Sequence, residues 1–318
     1  MKFTYNLLAT SLIIAMPVAA NAAANKMIDD ITFYGKAEIQ LNHTDTGLMR
    51  YVKEGSNINS PYSRIGIKGT HQLNDKFSAV FKFEYQVKGM DDDVDTLTAR
   101  NTYIGIKGNF GEVVFGRNDT RFKKSEANFD LFNETADDIS QVLAGQDRLG
   151  DSITYSAPRL GQFNLAFTAT IKDDTGFDKN GYAWLVTTGD KSLKKSPYYV
   201  AYAGTQDLNN LDLHRIVANY RIKHLVLGAM IQQSQTSDGL KDGDGFMLNA
   251  GYQMGQWLAK VQYASDDSKI RHAEEVEQLS VGLDYIFDSQ AKAYILLSAL
   301  DLETNDDNTI GLGLQYKF

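Results

Sequence analysis

Ile31-Thr32-Phe33-Tyr34-Gly35-Lys36-Ala37-Glu38-Ile39-Gln40-Leu41-Asn42 alternates apolar or small residues with mostly polar ones. Successive side chains of an extended strand point to opposite faces, so this run describes a strand with one greasy and one wet face. The period of two returns at Phe77 to Val87, Phe163 to Ile171, Leu225 to Ile231, Phe246 to Tyr252, Trp257 to Tyr263 and Leu279 to Phe287. It runs to the last residue through Ile310, Leu312, Leu314, Tyr316 and Phe318. Short connections such as Leu73-Asn74-Asp75-Lys76 and Met254-Gly255-Gln256 alternate with longer acidic ones such as 43–59, 89–96, 173–180, 234–244, 265–275 and 301–308. The pattern predicts an all-β chain of about 16 strands of roughly ten residues each. They fall near 31–42, 60–71, 76–89, 97–108, 112–118, 148–157, 162–172, 181–188, 197–204, 212–221, 224–233, 244–253, 256–264, 276–287, 291–300 and 309–318.

A soluble β-protein and a membrane barrel both produce alternating strands. In the soluble case the greasy face forms a core shared between packed layers; in the barrel it meets lipid and the polar face lines a wet lumen. Aromatics gather near strand ends, as at Phe33, Phe77, Tyr85, Tyr252, Tyr285 and Phe287, which suits interfacial girdles. Lys36, Glu38, Lys82, Glu84, Lys260 and Asp284 occupy the polar face, which suits a solvated interior. An even number of antiparallel strands closes without leaving an edge for water-free lipid to expose.

Composition narrows the classes further. A mean hydropathy of −0.33 excludes a helical membrane bundle, and a net charge of −8 argues against nucleic acid as a partner. With no cysteine there is neither a disulfide framework nor a thiolate metal site. Residues 1–24 read as a secretory signal peptide: Lys2, an apolar run from Leu7 to Val18, then small residues that allow cleavage after Ala22 or Ala24. Residues 25–318 are left as one barrel domain. The histidines His43, His71, His214, His224 and His272 are scattered, without H-E-x-x-H spacing or a nearby G-x-S-x-G. No catalytic residue, metal ligand or cofactor is therefore assigned, and a barrel hydrolase stands only as a remote alternative.

Several stretches resemble the Gram-negative general porin family. They are Phe33-Tyr34-Gly35-Lys36-Ala37, Ser63-Arg64-Ile65-Gly66-Ile67-Lys68-Gly69, Tyr103-Ile104-Gly105-Ile106-Lys107-Gly108, Phe115-Gly116-Arg117, Asp151 through Pro158, and Tyr316-Lys317-Phe318. The resemblance implies a transmembrane antiparallel barrel in the outer membrane, assembled as a homotrimer, with an inward-folded third loop. It also implies passive diffusion of small hydrophilic solutes and ions, contact with outer-membrane lipid and lipopolysaccharide, and Tyr316 and Phe318 as an assembly signal. The family's Pro-Glu-Phe-Gly-Gly turn is missing between Arg117 and Arg148.

The resemblance marks 117–147 as the constriction loop. From Ser125 to Asp147 it holds Glu126, Asp130, Glu134, Asp137, Asp138 and Asp147 with no Lys or Arg. Phe129, Leu131, Phe132, Ile139, Val142 and Leu143 argue that it packs against something. The expected constriction sets Asp130, Glu134, Asp137 and Asp138 against a basic wall of Lys36, Arg64, Arg100 and Arg148. Lys36, Arg64 and Arg148 have inward parity. Arg100, carried over from the family's pattern, shares the parity of outward Ile104 and Ile106, which requires a bulge or a position beyond the regular strand. Charges across so narrow a gap order water and disfavour apolar solutes.

With a screening length of about 8 Å, charges at the constriction and mouths govern ion choice. The acidic loop, with Asp91-Asp92-Asp93, Asp95, Asp173-Asp174, Asp242, Asp244, Asp266-Asp267 and Asp306-Asp307, leads to an expectation of modest cation preference. Those acidic tips read as solvated surface, with divalent bridging to lipopolysaccharide phosphates as a second role. A substrate-specific sugar or anion channel is the alternative; it calls for an aromatic slide or an arginine cluster, and neither stands out on the inward faces.

Overall fold

Alternating polarity becomes a closed antiparallel barrel in the computed structural model, which describes residues 31–60, 62–88, 96–172 and 179–318. The signal segment 1–24, Asp91-Asp92-Asp93, Asp95 and Asp173-Asp174 lie outside the described residues. The strands are β1 (Ile31–Thr44), β2 in two pieces (Gly55–Asn59 and Arg64–Gln72), β3 (Phe77–Val87), β4 (Leu97–Gly108), β5 (Gly111–Asp119), β6 in two pieces (Arg148–Leu149 and Ser152–Ser156), β7 (Phe163–Thr170) and β8 (Gly181–Gly189). They continue as β9 (Tyr198–Gln206), β10 (Leu211–Ile222), β11 (Leu225–Thr236), β12 (Asp242–Met254), β13 (Trp257–Asp266), β14 (Val276–Ile286), β15 (Ala291–Leu302) and β16 (Asp306–Lys317). Both pieces of β2 pair with β1 and both pieces of β6 with β5, so each counts as one stave. Each strand pairs with the next, and β1 closes the ring against β16 from Lys36 opposite Lys317 to Thr44 opposite Thr309.

Several outer hairpins extend beyond the predicted limits: β12 begins at Asp242, and β15 and β16 meet at Leu302 and Asp306. Alternation is weak there because Asp306-Asp307-Asn308 puts polar residues on both faces and Asp242-Gly243-Asp244 offers no apolar face.

Polarity is inverted relative to a soluble domain. On β1 the inward Lys36, Glu38, Gln40, Asn42 and Thr44 are buried while outward Ile39 and Leu41 are exposed. Leu297, Ile295, Leu312 and Leu314 continue the exposed apolar belt across the seam. Such a contiguous apolar surface is stable only against hydrocarbon. Phe318 completes the seam: its backbone exchanges hydrogen bonds with Gly35 at 2.9 and 3.1 Å. A Cβ on Gly35 would stand 2.3 Å from the Phe318 ring, so the small residue is already covered by the chain's own terminus.

Two features position the interior. Between β3 and β4 the register slips from Phe83–Thr102 to Tyr85–Ala99, a bulge that gives β4 one extra residue. Arg100 and Asn101 are consequently both buried inside the barrel, and the outward parity that Arg100 shares with Ile104 does not hold. The second feature is an apolar inner wall on β8 to β15, including Ala183, Ala203, Leu213, Val217, Met230, Met247 and Leu300.

Candidate functional site

After β5 ends at Asp119, the chain folds into the barrel and lays its apolar residues on that inner wall. Phe122, Phe129, Phe132, Ile139, Val142 and Leu143 are fully buried, and Leu131 packs beside Phe132 against Tyr294 and Leu296. Gly228 and Gly282 leave the room: a Cβ there would approach the Phe129 and Phe132 rings to 2.8 and 2.9 Å. Barrel side chains satisfy the loop carbonyls that irregular backbone leaves open. Asn249 donates to Phe129 O at 2.8 Å, Lys260 to Leu131 O at 2.9 Å, Tyr199 to Ser125 O at 3.0 Å and Arg215 to Ala144 O at 3.0 Å. The Arg215 guanidinium also stands 4.3 Å from the Phe122 ring centroid, tying together both limbs of the loop.

The four expected acidic residues of the loop separate into two pairs. Asp130 accepts from Phe132 N and Ile139 N, both at 2.8 Å, and from Gln262 at 3.0 Å. It braces the turn and faces β13. Asp137 is completely buried against the wall near the Ser280 and Ser298 hydroxyls. Neither borders the open lumen, because backbone N–H groups and the far wall claim them. Burial raises the Asp130 carboxyl to about 7, helped by Asp138, and raises Asp137 to about 6.

Glu134 and Asp138 take the other direction. Asp138 caps the short 3-10 turn Ile139–Gln141 through Ser140 N at 2.9 Å, and its second oxygen accepts from Glu134 N at 2.9 Å. This holds Glu134 in the left-handed region at φ 63° with its carboxylate aimed at the opposite wall. There it meets Lys36 at 2.7 Å, Arg100 at 3.3 Å and Arg64 in a close ion pair. Burial acts to raise its pKa, but Lys36, Arg64 and Arg100 outweigh burial and hold it well below the carboxylate range.

On the wall, Glu84 binds Arg100 at 3.0 Å and Lys82 at 3.1 Å, while Asp119 binds Arg148 at 2.8 Å and Lys124 at 2.6 Å. The loop and the wall of β2 to β6 thus enclose a polar eyelet. Among the described residues, its border holds seven basic side chains, Arg50, Arg64, Lys82, Arg100, Lys123, Lys124 and Arg148, and five carboxylates, Glu84, Asp119, Glu126, Glu134 and Asp138. Burial pushes the Glu126 carboxyl up to about 8, leaving it mostly uncharged near neutrality.

Of the expected basic residues, Arg64, Arg100 and Arg148 border the eyelet; Lys36 lies buried beneath Glu134, paired also with Glu38. Lys82 and Glu84 were legible only as polar-face residues. Arg50, Lys123 and Lys124 lie off the strands, where no parity can assign a direction. Tyr316 and Phe318 are half-exposed on the outer surface, their ring centroids 6.3 Å apart.

The model of the Gram-negative porin family matches residues 9–318. The chain belongs to that family. Among similar proteins, the major outer membrane protein P.IB of Neisseria lactamica is 24% identical, covering 96% of this chain and 97% of the relative. The P.IB protein of Neisseria gonorrhoeae is 25% identical over 88% of this chain. The anion-selective porin from Comamonas acidovorans superposes with a TM-score of 0.75 at 18% identity, covering 91% of this porin and 99% of that chain. OmpF of Salmonella typhi in its daunomycin complex superposes with a TM-score of 0.73 at 16% identity over 91% of this porin. The porin resides in the outer membrane, and its family and fold support a diffusion channel.

Proposed function

We propose that this porin passes small hydrophilic solutes and ions through the eyelet, with weak selectivity set by loop 120–147 and the β2 to β6 wall. The observation that carries the reading is the sided lumen: a loop packed like a core on one wall leaves a charged opening at the other. Polar solutes cross by exchanging hydrogen bonds with these fixed charges, whereas an apolar solute would strip water from them without replacement.

The expected cation preference depended on carboxylates that include Asp130 and Asp137, and both are packed behind the loop. With Glu126 mostly neutral, basic groups outnumber ionised carboxylates around the eyelet, which supports a modest preference for anions instead. Acidic groups at the outer tips, such as Asp267, Glu274 and Glu303, would pull the other way. Reversal potential in a planar bilayer under a KCl gradient decides: a chloride-favouring value is expected, and a potassium-favouring one restores the cation reading. The grouping of Arg64, Arg100 and Arg148 favours one second reading, an anion-specific channel, distinguished by saturable block with a single anion.

Homotrimer assembly is part of the proposal. Arg117 is exposed with outward parity on β5 and has no ion pair among the described residues. An arginine facing lipid costs up to about 2–4 kcal/mol, so this patch fits better against another copy than against acyl chains. A heat-labile trimer on an unheated gel is expected; a species migrating only as monomer counts against it. Contact between the outer loops and lipopolysaccharide, and a signalling role for Tyr316 and Phe318 in insertion, belong to the same reading.

A further inference from the structure

Asp307, at the outer end of β16, is fully buried and saturated by one loop. One carboxylate oxygen accepts from Asp45 N and Thr46 N at 3.0 Å each and from the Thr44 hydroxyl. The other accepts from Leu48 N at 2.8 Å and Met49 N at 3.3 Å. Successive backbone N–H groups curled in this way form a nest for an anion, and here the barrel's own carboxylate fills it. The captured segment, residues 45–54, then turns into the barrel. Met49 and Val52 join the apolar cluster that holds loop 120–147.

Beyond Met49 the segment touches the eyelet loop directly. Arg50 N donates to the Gln141 side-chain oxygen at 2.9 Å, and the Arg50 guanidinium donates to the Ser140 hydroxyl at 2.7 Å. Gln141 returns a bond to Leu48 O at 3.4 Å. From the opposite side, His272 meets Gln141 O at 2.9 Å. Arg50 itself borders the eyelet.

We propose that Asp307 is a positioning residue for permeation: by gathering the 44–49 backbone it sets Arg50 at the opening and braces the second limb of loop 120–147 through Gln141. The inference rests on the channel reading above. Asparagine at 307 keeps the shape but turns an NH2 group toward N–H donors, so the nest opens while the strand remains.

The test compares purified full-length wild type, D307N, R50A, the double variant and Q141A in planar bilayers, reading open-channel current noise and reversal potential under a KCl gradient. D307N is expected to raise noise several-fold and to shift the reversal potential toward potassium, with the same sign as R50A. In the R50A background D307N is expected to add no further selectivity shift, since its effect passes through Arg50. A D307N channel with wild-type noise and reversal potential overturns the proposal, as does a D307N shift fully additive with R50A. Should D307N not assemble, Q141A, which leaves the nest intact, must itself raise noise; a quiet Q141A channel then overturns it. Failure of the channel reading would show separately, as a wild-type barrel that does not conduct.

Discussion

Beneath loop 120–147 the lumen-facing positions of β8 to β15 include the apolar Ala183, Leu213, Val217, Met230, Met247 and Leu300 beside a few polar anchors such as Arg215, Asn249 and Lys260, whereas those of β1 to β4 include the charged Lys36, Glu38, Arg64, Lys82, Glu84 and Arg100. The strands are alike in pairing and tilt of polarity toward lipid, but their inner faces follow different physics. One wall holds its loop mainly by excluding water from packed apolar side chains, with a few side-chain hydrogen bonds to the loop carbonyls, so most of its hold scales with buried area. The other is held by a network of ion pairs that runs from buried Lys36, Glu38 and Glu84 to partly exposed Arg64 and Lys82, so removing one partner strands charges that the rest must accommodate. On the channel reading proposed above, the difference divides the work: packing would set the width of the opening, and charge what crosses it.

Removing packing on the first wall tests that division most severely. Phe129→Ala with Phe132→Ala takes two fully buried rings off the wall, and a buried Phe→Ala change typically costs about 3–5 kcal/mol. The loop is expected to leave its seat while the barrel persists, giving a large rise in single-channel conductance; unchanged conductance would mean that packing does not set the width. Glu134→Gln attacks the second wall. Leaving Lys36, Arg64 and Arg100 without their carboxylate costs about 1–3 kcal/mol of loop stability and is expected to move the reversal potential further toward chloride, with a smaller conductance change than the packing variant.

A pH series separates the walls without mutation. Glu126, Asp130 and Asp137 have folded pKa values raised to about 8, 7 and 6 above ordinary carboxyl values. A raised carboxyl stabilises the docked loop fully below its unfolded pKa, and that contribution is lost as pH rises through the folded value. Loop docking is therefore expected to be firmest near pH 4 and to loosen progressively between about pH 4 and 8, read as falling hydrogen-exchange protection of the 122–143 amides after correction for their intrinsic rates. Exchange that rises on acidification instead would contradict the buried state of these groups. The smallest effect is expected from Arg148→Ala, which removes one of seven basic groups around the eyelet and frees Asp119. A slight shift toward potassium with near-normal conductance is the expected result.

Much of this architecture was legible in the sequence because a period of two states directly which side chains share a face. The staves, the seam and the inward direction of Lys36, Arg64 and Arg148 follow from it. Arg100 needed the bulge, which shows only in the pairing of Tyr85 with Ala99. The loop was legible as packed, from its large apolar residues, but the fate of each carboxylate was not. Asp130 and Asp138 differ in which backbone N–H groups they cap, and composition carries no record of that. The apolar inner wall did leave a trace: Leu225 to Ile231, counted among the alternating runs, is apolar or small on both parities through Val226, Gly228 and Met230, which marks a strand covered on its inner face as well.

The seat of loop 120–147 also sets an order of assembly. Phe129 hangs its carbonyl on Asn249 of β12 and Phe132 packs on Tyr294 of β15, partners made long after the loop in the chain. Until those staves are in place the loop has no surface to bury and its rings remain available to chaperones or to other chains. Docking is thus a late event that only a nearly complete barrel can support, so a truncated or stalled chain would expose an aromatic segment that the finished molecule conceals.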